Sequence, residues 1–243
     1  MSRKRIYSIF VILALVAAIV LGAGPTTYAQ SGTTVFINEI HYDNEGIDTL
    51  EFIEVVFHLD YLTRSDYFIL LYDGITGAPY DSATMNQWIA GDTVHSYAFF
   101  SWYPTAIQNG PDGIALGFPD SLLQFISYEG ALLATSGLAA GMAGEILPLE
   151  ETGSLKGYSI QLTGAGSRSE HFWWSNSLQS AGEMNQEQQL TTDPVIQFFG
   201  NDYIDFGQIP NGIASQPEPY LITGANLFED LLITIPQGFE ADF

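Results

Sequence analysis

The chain has 243 residues, with six Lys and Arg against 28 Asp and Glu and a formal net charge of −22. A surface this acidic repels polyanions, because phosphate binding depends on Lys and Arg displacing counterions. Direct nucleic-acid binding is therefore disfavoured, and anionic membrane surfaces with it. There is no cysteine, so disulfides and thiolate metal sites are excluded and stability must come from packed cores.

In chain order, residues 1–29 read as a signal peptide. Arg3, Lys4 and Arg5 form a basic start, an apolar stretch runs over 9–21, and Thr27-Tyr28-Ala29 offers a small residue for cleavage after Ala29. The rival reading is an uncleaved anchor, but the apolar run is shorter than the roughly 20 residues that span a bilayer. The expected location is secreted or cell-surface, with no membrane contact beyond the signal peptide. Removing the segment leaves Arg64, Lys156 and Arg168 as the basic residues against 28 acidic ones, a net of −25.

The rest reads as strand after strand. Residues 33–42 (TTVFINEIHY) and 51–58 (EFIEVVFH) are rich in β-branched and aromatic side chains and alternate in part, as half-buried strands do. A short apolar run, 67–72 (YFILLY), ends at the turn pair Asp73-Gly74. Further strands are expected over 95–101, 113–117, 122–128, 159–162 and 171–174, separated by Gly-, Pro- and Asp-rich turns. Residues 131–144 are small and Gly-broken, which predicts a loop with at most one helical turn. Residues 185–193 (NQEQQLTTD) are polar and aperiodic and read as a linker, with 189–194 as its core. Pro194 then opens a new strand series, with strands expected at 219–223 and 231–235. So few strands over 195–243 imply an incomplete, truncated second module.

The series Val35-Phe36-Ile37-Asn38-Glu39-Ile40-His41-Tyr42, then Glu51-Phe52-Ile53-Glu54-Val55, resembles the opening of bacterial lamin-tail-like domains. The likeness continues in order through Tyr72-Asp73-Gly74, Asn109-Gly110-Pro111-Asp112-Gly113, Gln124-Phe125-Ile126-Ser127-Tyr128 and Ser159-Ile160-Gln161-Leu162, and closes at Phe172-Trp173-Trp174. It covers residues 33–188. The resemblance implies an all-β chain with an immunoglobulin-like β-sandwich of lamin-tail type. Such modules sit in large secreted or surface proteins, among them extracellular nucleases whose catalytic domain lies further downstream. Residues 195–243, with Ile233-Thr234-Ile235-Pro236-Gln237-Gly238, resemble the start of Ig-like repeats of bacterial surface proteins. The partners implied are other domains of the same polypeptide, or an extracellular protein or glycan.

Several constellations invite a chemical reading. Asp43, Asn44, Asp48 and Glu51 surround Gly46, and closely spaced oxygen ligands about a glycine turn suit a hard cation such as Ca²⁺. The spacing is not that of an EF-hand, and the alternative is an Asx-type turn capping its own backbone amides. Asn38, Glu39, Glu51 and Glu54 raise the question of paired carboxylates. Glu51 and Glu54 are three apart and should face opposite ways in a regular strand, so solvent-facing strand carboxylates are expected. The four histidines (His41, His58, His95, His171) lack metal-ligand spacing, no Gly-x-Ser-x-Gly elbow occurs, and no catalytic residue is assigned. At 172–174, alternation sends Trp173 to one face and Phe172 with Trp174 to the other. Trp173 and Trp174 are therefore candidates either for core packing or for contact with a sugar or protein.

Overall fold

A computed structural model describes residues 8–10, 33–62, 64–151, 153–199, 205–208 and 213–242. The expected signal segment lies outside these residues apart from 8–10, as does the turn at 210–212. The chain divides into two compact units, Ala23–Thr192 and Met1–Gly22 with Asp193–Phe243. It is all-β, and the larger unit is an immunoglobulin-like β-sandwich.

The strands in chain order begin with β1 (Ser8–Phe10), β2 (Val35–His41), β3 (Phe52–His58), β4 (Phe68–Asp73) and β5 (Pro79–Thr84). Next come β6 (Ile89–Val94), β7 (Tyr97–Trp102), β8 (Asp112–Phe118), β9 (Ser121–Tyr128) and β10 (Glu145–Ile146). The larger unit ends with β11 (Tyr158–Gly166), β12 (Phe172–Leu178) and β13 (Gln188–Leu190), followed by β14 (Val195–Phe199), β15 (Leu221–Ala225) and β16 (Glu240–Asp242) in the smaller one. One sheet of the sandwich has the order β10-β9-β8-β4-β5. The other runs β12-β11-β2-β3-β7-β6, with β13 pairing in parallel onto β11.

Between the sheets lies the principal core. Ile160, Ile40, Ile53 and Trp102 form one row of cross-strand partners through β11, β2, β3 and β7. They meet Ile69, Leu71, Ile114, Leu116 and Ile126 from the opposing sheet. Phe57 sits edge-on to Tyr67 at 5.0 Å and to Phe100 at 5.4 Å, a geometry that places positive ring edges on negative faces.

Neither sheet leaves its other face bare. Residues 131–144 form a loop without helix, and Leu132, Ala134 and Ala139 pack over Tyr72, Ala115 and Phe125 on the outside of the five-stranded sheet. On the outside of the seven-stranded sheet, Leu190 and Met184 cover Phe36, Val56, Tyr97, Phe99 and Phe172. This double covering is why all seven residues of β2 are buried, although the alternation in its sequence suggests a half-buried strand.

Three strands escape sequence reading, β5 (PYDSAT), β6 (IAGDTV) and the two-residue β10 (EI). All are sheet edges with largely exposed side chains, so no apolar alternation marks them. The stretch read as a linker also departs from expectation. Gln188–Leu190 is strand β13, because Leu190 supplies the apolar side chain that Phe36 and Phe172 pack against. In the smaller unit, β14 and β15 form an antiparallel hairpin and β1 pairs in parallel with β16. Residues 231–235, expected as a strand, are without regular structure.

Phe57→Ala is expected to destabilise the fold by about 3–5 kcal/mol, read from urea unfolding, because it empties a buried aromatic contact. Ile75→Ala, at a side chain 94% exposed, is expected to change stability by no more than about 0.5 kcal/mol.

Candidate functional site

Polar residues of the seven-stranded sheet fall into a row that is buried at its centre, from Gln161 to Ser101. Pairing registers align Ser175, Gln161, Glu39, Glu54, Ser101 and Ile89 as direct cross-strand partners from one edge to the other, and such partners share a face. Between Ile37 and Glu39 the register of β2 against β3 shifts, leaving Asn38 as the extra residue of a β-bulge. The bulge brings Asn38 onto the same row, where its amide nitrogen donates to Glu54 Oε1 at 2.9 Å.

Both Glu39 and Glu54 are fully buried, which overturns the expectation of solvent-facing carboxylates. Alternation alone does place Glu54 away from the principal core. What the sequence does not announce is that residues 179–187 lie across that outer face. The Ser180 N–H and hydroxyl donate to Glu39 Oε1 and Oε2, both at 2.9 Å, and Ser159 Oγ donates to Oε1 at 2.5 Å. The Gly182 N–H donates to Glu54 Oε2 at 2.5 Å and Ser101 Oγ at 3.3 Å. Asn185, buried in the same layer, donates through Nδ2 to the carbonyls of Asn38 and Leu162. The crossing is close at β6, where the Asp92 N–H donates to the Gly182 carbonyl at 2.7 Å. A Cβ on Gly91 would meet that carbonyl oxygen at 2.2 Å, so Gly91 is required by the approach, and Gly182, with φ +86°, is required by its backbone conformation.

Among the described residues, no cation faces this pair. Burial is the main force raising the Glu54 carboxyl, followed by the charge of Glu39, and its pKa is pushed up to about 8. Burial likewise raises Glu39 despite its hydrogen bonds from Ser159 and Ser180. Two buried carboxylates without a cation cannot both ionise cheaply.

A second buried group ties together the loops at one end of the sandwich. His41 and Glu151 are buried, with His41 Nδ1 3.1 Å from Glu151 Oε1 and His41 Nε2 3.2 Å from the Thr49 carbonyl. Both ring nitrogens therefore face acceptors, an arrangement that the imidazolium satisfies and either neutral tautomer does not. The Asn44 amide agrees with it when its nitrogen points to the Ile47 carbonyl and its oxygen to the Thr49 N–H, each at 3.2 Å. Glu151 Oε2 accepts from the N–H groups of Tyr42 and Asp43 at 2.6 and 3.1 Å, and its own N–H donates to the Tyr42 hydroxyl. Burial opposes charge on His41, but the hydrogen bond and charge of Glu151 prevail and its pKa is raised.

Asp43, Asn44, Asp48 and Glu51 surround this group in different roles. Asp43 and Asp48 come together, and Asp43 is raised by burial and then by its contact with Asp48. Asn44 closes the turn, its N–H 3.3 Å from Asp48 Oδ1. Glu51 turns away to accept the Ile107 N–H. Among the described residues, no group of three or more His, Asp or Glu is arranged to hold a metal ion. At the far edge of the sheet, Phe172 and Trp174 pack into the cores while Trp173 is 39% exposed.

The raised pKa of His41 has a definite sign in stability. Its contribution is complete below the unfolded value near 6.5 and is lost as pH rises through the higher folded value. In His41→Gln, melting temperature is expected to depend less on pH above about 6.5 than in the parent, read from thermal melts across a pH series. Imidazole ¹⁵N spectra of the parent at that same pH are expected to show protons on both nitrogens of His41. Comparisons with protein-family models, with curated proteins and with solved structures return no match to this chain.

Proposed function

We propose that the chain is a non-catalytic extracellular module, acting in adhesion, spacing or targeting within a larger secreted or surface protein. The observation that supports this most is the use to which its reactive side chains are put. His41, Glu151, Glu39 and Glu54 are all fully or almost fully buried, and each is engaged in holding a loop against the sandwich. General acid–base work needs such groups within reach of a bound substrate. The resemblance of residues 33–188 to lamin-tail-like domains, and the basic-then-apolar start of the chain, point to export and to a modular context.

The same resemblance carries an alternative, in which this chain is the N-terminal region of a secreted nuclease or phosphodiesterase with its catalytic domain elsewhere in the polypeptide. Both readings expect no cleavage of plasmid DNA by the purified protein with Mg²⁺ and Ca²⁺ present. Metal-dependent cutting that follows the protein through successive columns would overturn the non-catalytic reading.

Trp173 favours a carbohydrate-binding reading as well. It is an exposed indole on β12, an edge strand that ends the seven-stranded sheet, and a flat ring on a rigid strand suits stacking against a sugar. If this reading holds, Trp173→Ala weakens binding to a retained polysaccharide roughly 2–10-fold in affinity electrophoresis, whereas Leu178→Ala on the same strand leaves it unchanged. Equal retention of parent and Trp173→Ala would remove it.

A further inference from the structure

We propose that residues 179–183 form a proton-controlled strap, latched on the outer face of the seven-stranded sheet while at least one of Glu39 and Glu54 is protonated and lifting when both are charged. The strap leaves the end of β12 at Leu178 and returns to the sheet at β13, so each end is tied to β11 by strand pairing. Its middle has no apolar anchor among its own side chains. Three donors from the strap, the Ser180 N–H, the Ser180 hydroxyl and the Gly182 N–H, end on the two carboxylates. Beyond Glu183, Met184 packs on the apolar cluster and Asn185 bonds to two strand carbonyls. Those contacts do not depend on carboxylate charge, which makes Met184 and Asn185 the hinge.

The two carboxylates lie on directly opposed residues of an antiparallel pair, where Cβ atoms are about 4.5–5.5 Å apart. The first negative charge is well served, since the donors around the pair are hydrogen bonds that strengthen to an anion. The second meets no cation among the described residues. The other titratable groups whose charge reaches the pair are Glu151 and Tyr103. On the elements that cover it the titratable side chains are Glu183 and Glu187, with Asp92 on β6; none of these is basic. Solvating that second charge requires water, and 179–183 is the partly exposed element whose displacement admits it. Lifting it uncovers Asn38, Glu39, Glu54 and Ser101 as a polar strip.

The sign follows from the raised carboxyls. Closure is favoured fully below the ordinary carboxyl range and is lost as pH rises through about 8, the folded value of Glu54. Amide hydrogen exchange of the purified protein, corrected for the intrinsic base-catalysed rate, tests it. Between about pH 6.5 and pH 9.5, protection at Ser180 and Gly182 is expected to fall about tenfold or more while Val55 and Phe99 keep theirs. In Glu54→Gln, where one charge is removed for good, the protection at Ser180 is expected not to change with pH. Constant protection at Ser180 and Gly182 in the parent, or loss in step with Val55 and Phe99, would overturn the proposal. Should Glu54→Gln not fold, Glu39→Gln is read at Gly182 in the same way, and the contrast between strap and core in the parent decides the matter alone.

Discussion

The structure depends on covering the central strand β2 on both faces. One face is built for the gap between the sheets, with Ile37 and Ile40 in the principal core. The other carries Asn38 and Glu39, which cannot be left dry without partners. The bulge at Asn38 resolves the conflict by turning two successive polar side chains toward the same side. The strap then supplies donors for the carboxylates, and Asn185 supplies donors for the backbone beside them. Without that outer layer, Phe36, Val56 and Phe99 would also lie bare. The polar row and the apolar cluster are thus two halves of one covered surface.

Charge composition shapes how those partners are chosen. Residues 30–243 contain three basic side chains against 28 acidic ones. The Arg64 guanidinium is engaged at the surface with Asp66 and lies 3.7 Å above the Phe118 ring. Arg168 pairs loosely with Glu170. Buried carboxylates in this protein are therefore balanced by backbone amides, hydroxyls, a histidine and protons. Burial without a facing cation raises the Glu39 and Glu54 carboxyls against the pull of their hydrogen bonds, which couples this part of the fold to pH. His41 with Glu151 and Glu39 with Glu54 are two solutions of the same problem. Each fastens a loop to a sheet, one through the contact of His41 with Glu151 and the other through donors from Ser180 and Gly182.

This pattern sets the terms on which function is to be sought. His41, Glu151, Glu39 and Glu54 are interior fasteners, and the described surface offers edge strands, acidic loops and the exposed indole of Trp173. That pattern is what the proposal of a module recognising a partner or a polymer chain draws on.

Much of the architecture was legible in the chain itself. β-branched and aromatic runs between Gly, Pro and Asp turns marked most strands of the sandwich, because packing two sheets demands large apolar side chains at every second position. The alternation Phe172-Trp173-Trp174 set Trp173 apart from the other two rings but did not say which side would be exposed; the structure exposes Trp173. Edge strands β5 and β6 were not legible, since a strand held mainly by its backbone pairing needs no apolar signature. The fate of Glu39 and Glu54 was likewise hidden. The neighbours of Glu54 in sequence say which face it takes, and the bulge at Asn38 decides it for Glu39, but whether that face is wet depends on Ser180 and Gly182, more than a hundred residues away. Local pattern determined the strands and their inward sides; long-range covering decided which polar groups are buried, because burial belongs to the assembled layers and to no single segment.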